Sequence, residues 1–146
     1  MDCNGCEFHP DLYYDDEYQV WLRREPGDIL TVGMTDLSQA IAGKILHVRV
    51  RRPGSRRPPG KPVATIESGK WAGPVPNFVD CTILEINEAV MATPALLNQD
   101  PFGAWIARVA VHEPLDAALR RFVTGEAARA GYCARAERDD IHCGRE

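Results

Sequence analysis

Up to Pro114 the chain is a succession of short alternating runs cut by Pro and Gly turns; only beyond it do apolar residues fall into a period of 3.6. No alternating helix–strand repeat fits that punctuation. It predicts an all-β core with a helical hairpin appended at the C-terminus. At 146 residues the chain is long enough for one domain with a real core.

Gln19 to Arg23 reads as a strand with Val20 and Leu22 on one face. Pro26-Gly27-Asp28 is a turn, and Ile29 to Gly33 completes a hairpin. Thr35 to Gly43 predicts a short helix. Thr35 or Asp36 caps its free N–H groups, Gly43 ends it in the left-handed conformation, and Leu37 and Ile41 face one way. Lys44 to Val50 alternates as a further strand. Pro53 to Pro62 is a rigid basic loop outside regular structure.

Val63 to Glu67 alternates again, and Pro74, Pro76 and Asn77 delay the next strand until Thr82 to Ile86. Asn87 caps a helix to about Met91, and Thr93-Pro94 opens another helical turn. Asp100 to Gly103 turns into a last strand, Trp105 to Val111. Leu115, Leu119, Phe122 and Val123 then form one apolar stripe, and Thr124 caps a helix to about Asp139. The expected organisation is an N-terminal extension over 1–17, a β core over 18–112, and C-terminal helices and tail over 113–146 on the same domain.

A net charge of −4 gives no support to nucleic-acid binding. No apolar run reaches the ~18 residues of a membrane span. The opening Met1-Asp2-Cys3-Asn4-Gly5-Cys6-Glu7 has neither a basic leader nor an apolar segment, so a cytoplasmic protein is expected. The five cysteines, an odd number, argue against a disulfide scaffold. Cys3 and Cys6 have metal-ligand spacing, but zinc needs two more ligands, from Cys133, His142 or Cys143. Reducing conditions disfavour a terminal disulfide. Loose terminal thiols and no metal site are therefore expected.

Lys70 lies in Glu67-Ser68-Gly69-Lys70-Trp71, at the turn after the Val63–Glu67 run. A lysine at a hairpin tip is ordinarily a solvated charge. Glu67 and Ser68 read equally as an edge carboxylate and a turn hydroxyl or as residues recognised by an enzyme that modifies the turn. The chain has no Ser-His-Asp set, Gly-rich phosphate loop or paired carboxylates at helix spacing, so a free-standing enzyme is not expected. The basic residues Arg49, Arg51, Arg52, Arg56, Arg57 and Lys61 form either a docking patch for an acidic partner or a solvated loop guarding a sheet edge.

Five ordered pieces carry a resemblance. They are Gly33-Met34-Thr35-Asp36-Leu37 with Gly43; Glu67-Ser68-Gly69-Lys70; Asn87-Glu88-Ala89-Val90; Pro94, Asn98 and Asp100-Pro101-Phe102-Gly103 with Trp105; and Pro114 to about Arg129. Over roughly residues 18 to 130 the chain resembles the glycine-cleavage H proteins of the lipoyl-domain group. The resemblance implies a mainly β fold: a flattened lipoyl/biotinyl-type β-barrel or sandwich (barrel-sandwich hybrid) with short helices and a C-terminal helical hairpin.

It also implies lipoate in amide linkage to Lys70, with Glu67, Ser68, Gly69 and Trp71 around the attachment point. Such a monomeric carrier has no catalytic residue of its own. The ends Cys3-Asn4-Gly5-Cys6-Glu7-Phe8, Asp11-Leu12-Tyr13-Tyr14 and Ala136 to Cys143 resemble the lipoate-binding proteins of bacterial sulfur oxidation. That likeness implies sulfur cargo and partners of three kinds: a lipoate ligase or lipoyl-transfer enzyme, a heterodisulfide-reductase-like complex, and sulfurtransferases. The alternatives are a glycine-cleavage aminomethyl carrier and an unmodified protein-binding module. Cys81 stands where the glycine-cleavage H proteins have a turn glycine, and reads as a small buried hydrophobe or as a resolving thiol near Lys70.

Overall fold

The computed structural model describes residues 3–144. The chain is mainly β, with ten strands in two antiparallel sheets among the described residues. In chain order the strands are β1 (Tyr13–Asp15), β2 (Val20–Glu25), β3 (Ile29–Met34), β4 (Ile45–Val50), β5 (Arg56–Arg57), β6 (Ala64–Ser68), β7 (Ala72–Val75), β8 (Cys81–Ile86), β9 (Ala107–Val111) and β10 (Val123–Thr124). Seven form one sheet in the order β10-β1-β2-β3-β9-β8-β5, and β4-β6-β7 form the other. The helices are α1 (Asp36–Ala42), α2 (Glu88–Ala92), α3 (Leu96–Gln99), α4 (Leu115–Leu119) and α5 (Gly125–Arg138). Among the described residues no helix is long and apolar enough to cross a membrane.

Alternation places the main core. Val20, Leu22, Leu30 and Val32 of the first hairpin meet Ile83 and Val109 of the large sheet and Ala64, Ile66 and Val75 of the small one. Each fully buried aliphatic side chain contributes about 1.5–3 kcal/mol. Trp21 points to the other face of β2, where Gly33 is needed: a Cβ at Gly33 would come within 2.3 Å of the indole. The indole N–H donates to the Pro101 carbonyl at 3.0 Å, tying the hairpin to the turn before β9.

The N-caps of α1 and α2 are as the sequence predicts, whereas Thr124 precedes α5 without a side-chain cap hydrogen bond and donates its hydroxyl to the Leu12 carbonyl at 2.6 Å. The Thr35 hydroxyl accepts from the Ser38 amide, Gly43 ends α1 at φ 77°, and Asn87 caps α2. Other expectations are corrected. Leu37 is buried but Ile41 is 39 % exposed, so the two do not share a buried face. A register shift between Ile45 and His47 breaks the alternation of β4. Arg56 and Arg57, inside the loop expected to be irregular, pair with Thr82 and Cys81. α3 begins beyond Pro94, whose carbonyl accepts from the Leu97 amide. Val123 lies in β10, paired with Tyr14, and not on a helical stripe.

The ends of the chain are built in. Tyr13–Asp15 pairs with both β2 and β10 where a lead-in was expected. Four of the five cysteines, expected as loose thiols, are paired: Cys3 with Cys133 and Cys6 with Cys143. They pack with Leu37, Tyr132 and Ala136 as a second, small core. Tyr132 of α5 joins its parts, donating to the Glu7 carbonyl at 2.7 Å and accepting from the Leu37 amide at 3.3 Å. The odd cysteine count misled because Cys81 sits apart from the other four.

Candidate functional site

Lys70 stands at the tip of the β6–β7 hairpin, whose register runs from Ala64↔Val75 to Glu67↔Ala72. Ser68 closes the turn. Its amide donates to the Trp71 carbonyl at 2.7 Å. Its hydroxyl oxygen accepts from the amides of Lys70 (3.3 Å) and Trp71 (3.0 Å), while the hydroxyl donates to the Trp71 carbonyl at 3.2 Å. Ser68 is buried; Gly69 and Lys70 are exposed. The small polar side chain thus pins a tip that holds a primary amine in solvent.

Beneath Lys70 lies the end of α1. A Cβ on Gly43 would sit 3.0 Å from the lysine Cε and 3.7 Å from its Nζ. Glycine is required there twice, for the positive φ and for the space that the lysine stem uses. Asn98 of α3 holds this corner. Its Oδ1 accepts from the Ile45 amide at 2.9 Å, and its Nδ2 donates to the Gln39 side chain at 3.0 Å and to the Gly43 carbonyl at 2.8 Å. An open cleft of about 500 Å³ is lined by Gly43 together with Gln39, Lys44, Asn98, His142 and Cys143.

The other residues singled out in the sequence divide. Glu67 is exposed on the outer face of β6, 3.8 Å from the His47 ring. Trp71 is 38 % exposed, its ring lying across Gly73 and not in the core. Cys81 is not across the Lys70 hairpin. It lies in β8 of the other sheet, fully buried, with its thiol 3.7 Å from both the Arg57 carbonyl and the Asn77 side-chain oxygen. Burial pushes that thiol from 9.0 up to about 11, which keeps it protonated at neutral pH. The basic patch is partly spent inside the fold, since Arg56 makes a bidentate pair with Asp80 and Arg57 donates to the Pro62 carbonyl.

The sulfurs of Cys6 and Cys143 and the Asp36 carboxylate lie within 4.8 Å of one another. As a disulfide the two sulfurs offer no thiolate to a metal. Asp36 accepts from the Glu7 amide and the Gln39 amide group, both at 2.8 Å.

Fold and site together define a carrier scaffold: a β sandwich holding one lysine out on a tight turn, beside a cleft made by the helices. The chain belongs to the glycine cleavage H-protein family, whose model matches residues 12–131. It is 46 % identical over 143 residues to glycine cleavage system H protein 2 of Aquifex aeolicus, covering 97 % of this chain and 88 % of that protein. It is 42 % identical over 128 residues to probable glycine cleavage system H protein 2 of Sulfurisphaera tokodaii, covering 86 % of this chain and 85 % of the relative. Its fold matches the crystal structure of a glycine cleavage system H protein from Mycobacterium marinum, with a TM-score of 0.72 at 22 % identity over 92 % of this chain and 100 % of that one. The fold is thus the lipoyl-type barrel-sandwich. Proteins of this family are non-catalytic carriers that bear lipoate on a lysine and work with partner enzymes, and this chain is a non-catalytic carrier.

Gly43 and Asn98 were visible in the sequence as family matches, but not as parts of the lysine's surroundings. The joining of Cys6 to Cys143 left only one trace, a Cys-x-x-Cys at one end and two cysteines at the other.

Proposed function

We infer that the protein is a lipoyl carrier whose attachment point is Lys70, and that it moves an aminomethyl group between the enzymes of glycine cleavage. One observation carries the attachment point: an exposed amine on a pinned β-turn, with its stem lying in the gap left by Gly43. A ligase needs a primary amine that it can reach without unfolding the substrate, and the Ser68 hydrogen bonds supply a rigid projection. The residues present fit lipoate. In amide linkage the lysine loses its charge and becomes a long stem. Its Cε already has a glycine cradle, and the adjoining cleft is large enough to receive it. When bound, the dithiolane supplies the redox and group-transfer chemistry. The chain supplies placement and docking.

The aminomethyl cargo rests on the printed names of the relatives, all of them glycine cleavage system H proteins. Its partners are then a lipoate ligase or lipoyl-transfer enzyme, glycine decarboxylase and the aminomethyltransferase, in the cytoplasm. A second reading, sulfur cargo passed to a heterodisulfide-reductase-like complex and sulfurtransferases, is favoured by one feature. The cysteine-bearing ends fold against α1 and bring Cys143 to the cleft beside Lys70.

The test is to express the chain with lipoate, map the adduct by intact mass and peptide analysis, and offer the product to both sets of partners. The expected results are one lipoyl adduct on Lys70, none in Lys70→Arg, and loading by glycine decarboxylase. Loading only by sulfur-transfer enzymes overturns the aminomethyl cargo in favour of the second reading. An unmodified Lys70 overturns the carrier reading itself and leaves a protein-binding module.

A further inference from the structure

The two disulfides differ in one respect. Cys3–Cys133 is closed inside the small core, at 2 % and 1 % exposure. Cys6–Cys143 belongs to the same core, but Cys143 and its neighbours His142 and Gly144 also line the open cleft. Gly43, the residue against which the Lys70 stem lies, lines that cleft too. Cys143 and the glycine beneath the carrier lysine therefore line the same cavity.

We propose that Cys6–Cys143 is a redox-active disulfide that exchanges two electrons with the arm on Lys70. The proposal rests on the lipoyl reading of Lys70. The exchange conserves atoms and electrons. With the arm in its dithiol form, one arm thiolate attacks the Cys143 sulfur and expels the Cys6 thiolate. The second arm thiol then attacks the mixed disulfide and expels Cys143. The arm is left as a cyclic disulfide, oxidised by two electrons, and Cys6 and Cys143 are left as thiols that take up the two protons. The reverse reaction starts from the Cys143 thiolate.

Three observations favour this exchange over a purely structural bond. First, both cysteines are nearly buried, at 5 % and 4 % exposure, and Cys143 is the one of the two that lines the cleft. A tethered arm meets them at an effective concentration on the order of millimolar, which a reductant in dilute solution does not match. Second, the sulfurs have company that survives reduction: the Asp36 carbonyl is 3.5 Å from Cys143, and the Cys143 amide donates to the Asn4 carbonyl at 3.1 Å. Third, Cys3–Cys133 holds the same two chain ends together, so Cys6–Cys143 opens without releasing either.

The experiment uses the full chain, with lipoylation of Lys70 first established by mass. The arm is reduced with NADH and a dihydrolipoamide dehydrogenase, samples are quenched in acid and alkylated, and cysteine peptides are mapped without reductant. Cys6 and Cys143 are expected to be alkylated at least tenfold faster than in unlipoylated Lys70→Arg, while Cys3–Cys133 stays closed. In a second arm of the test, Cys6→Ser carries an oxidised lipoyl group, and the free Cys143 is expected to open it. Alkylating the arm thiol that is released traps a covalent Lys70-arm–Cys143 peptide pair. Equal rates in the first measurement, or no such pair in the second, overturn the exchange while leaving the carrier intact. Absence of the adduct on Lys70 overturns the carrier reading, and the exchange with it, before any disulfide is mapped.

Discussion

At the scale of single residues, Cys81 shows how placement decides chemistry. It is the one unpaired cysteine, and its position in β8 deprives it of solvent. Burial, and to a lesser degree the neighbouring Asp80 charge, hold its pKa at about 11 against an ordinary 9.0. Above pH 9 the unfolded chain gives up this proton while the folded chain keeps it, so its contribution is complete below 9 and is lost as pH rises towards 11. Burial likewise raises the hydroxyl pKa values of Tyr14 and Tyr132, which extends the alkaline loss. Cys81→Ala is expected to shrink the drop in urea midpoint between about pH 8 and about pH 10.5, without abolishing it because both tyrosines remain. An unchanged drop would mean that the thiol titrates normally. In the native protein at neutral pH, Cys81 is expected to resist alkylation.

At the scale of elements, the hairpin that carries Lys70 is local, and so was legible: an alternating run, a Ser-Gly turn and the lysine lie within a few residues. Its returning strand was not. Pro74 reads as an interruption, yet β7 is at the edge of the small sheet, where a missing N–H donor leaves no ladder bond unmade. β10 was hidden for another reason: it is two residues long and exists only through β1, across more than a hundred positions of sequence. Pattern reading has no access to such pairs. The same holds for the site, because the turn is written in one segment while its floor comes from the ends of α1 and α3. Asn98 joins those ends through three hydrogen bonds. Asn98→Ala is expected to cost roughly 2–3 kcal/mol, because the Ile45 amide and the Gly43 carbonyl lose their partner. It should also slow ligase modification of Lys70 several-fold. Denaturant unfolding and a lipoylation time course measure the two effects, and an unaffected time course would separate the α1–α3 corner from the site.

At the scale of the whole molecule, two cross-links join the same two ends, over 130 and 137 residues. In the chain-entropy account, closing a loop of this size contributes about 5 kcal/mol. Once one bond is made, the other closes only the short ring between the paired positions, worth about 3 kcal/mol. Cys6→Ser is therefore expected to lower stability by about 3 kcal/mol, and Cys3→Ser with Cys6→Ser by about 8 kcal/mol. The double loss exceeds twice the single one and takes most of a typical domain's ~5–15 kcal/mol. Urea unfolding of the single and double variants, with and without reductant, checks the inequality. Strictly additive losses would show that the bonds constrain the unfolded chain independently.

Because its beginning and end are fastened to each other, the polypeptide behaves as a closed hoop. A protease that severs the exposed stretch at Gly54 or Gly60 opens the hoop at one place and liberates nothing. The cut protein should migrate as a single species in denaturing electrophoresis and fall into two pieces only after thiol is added.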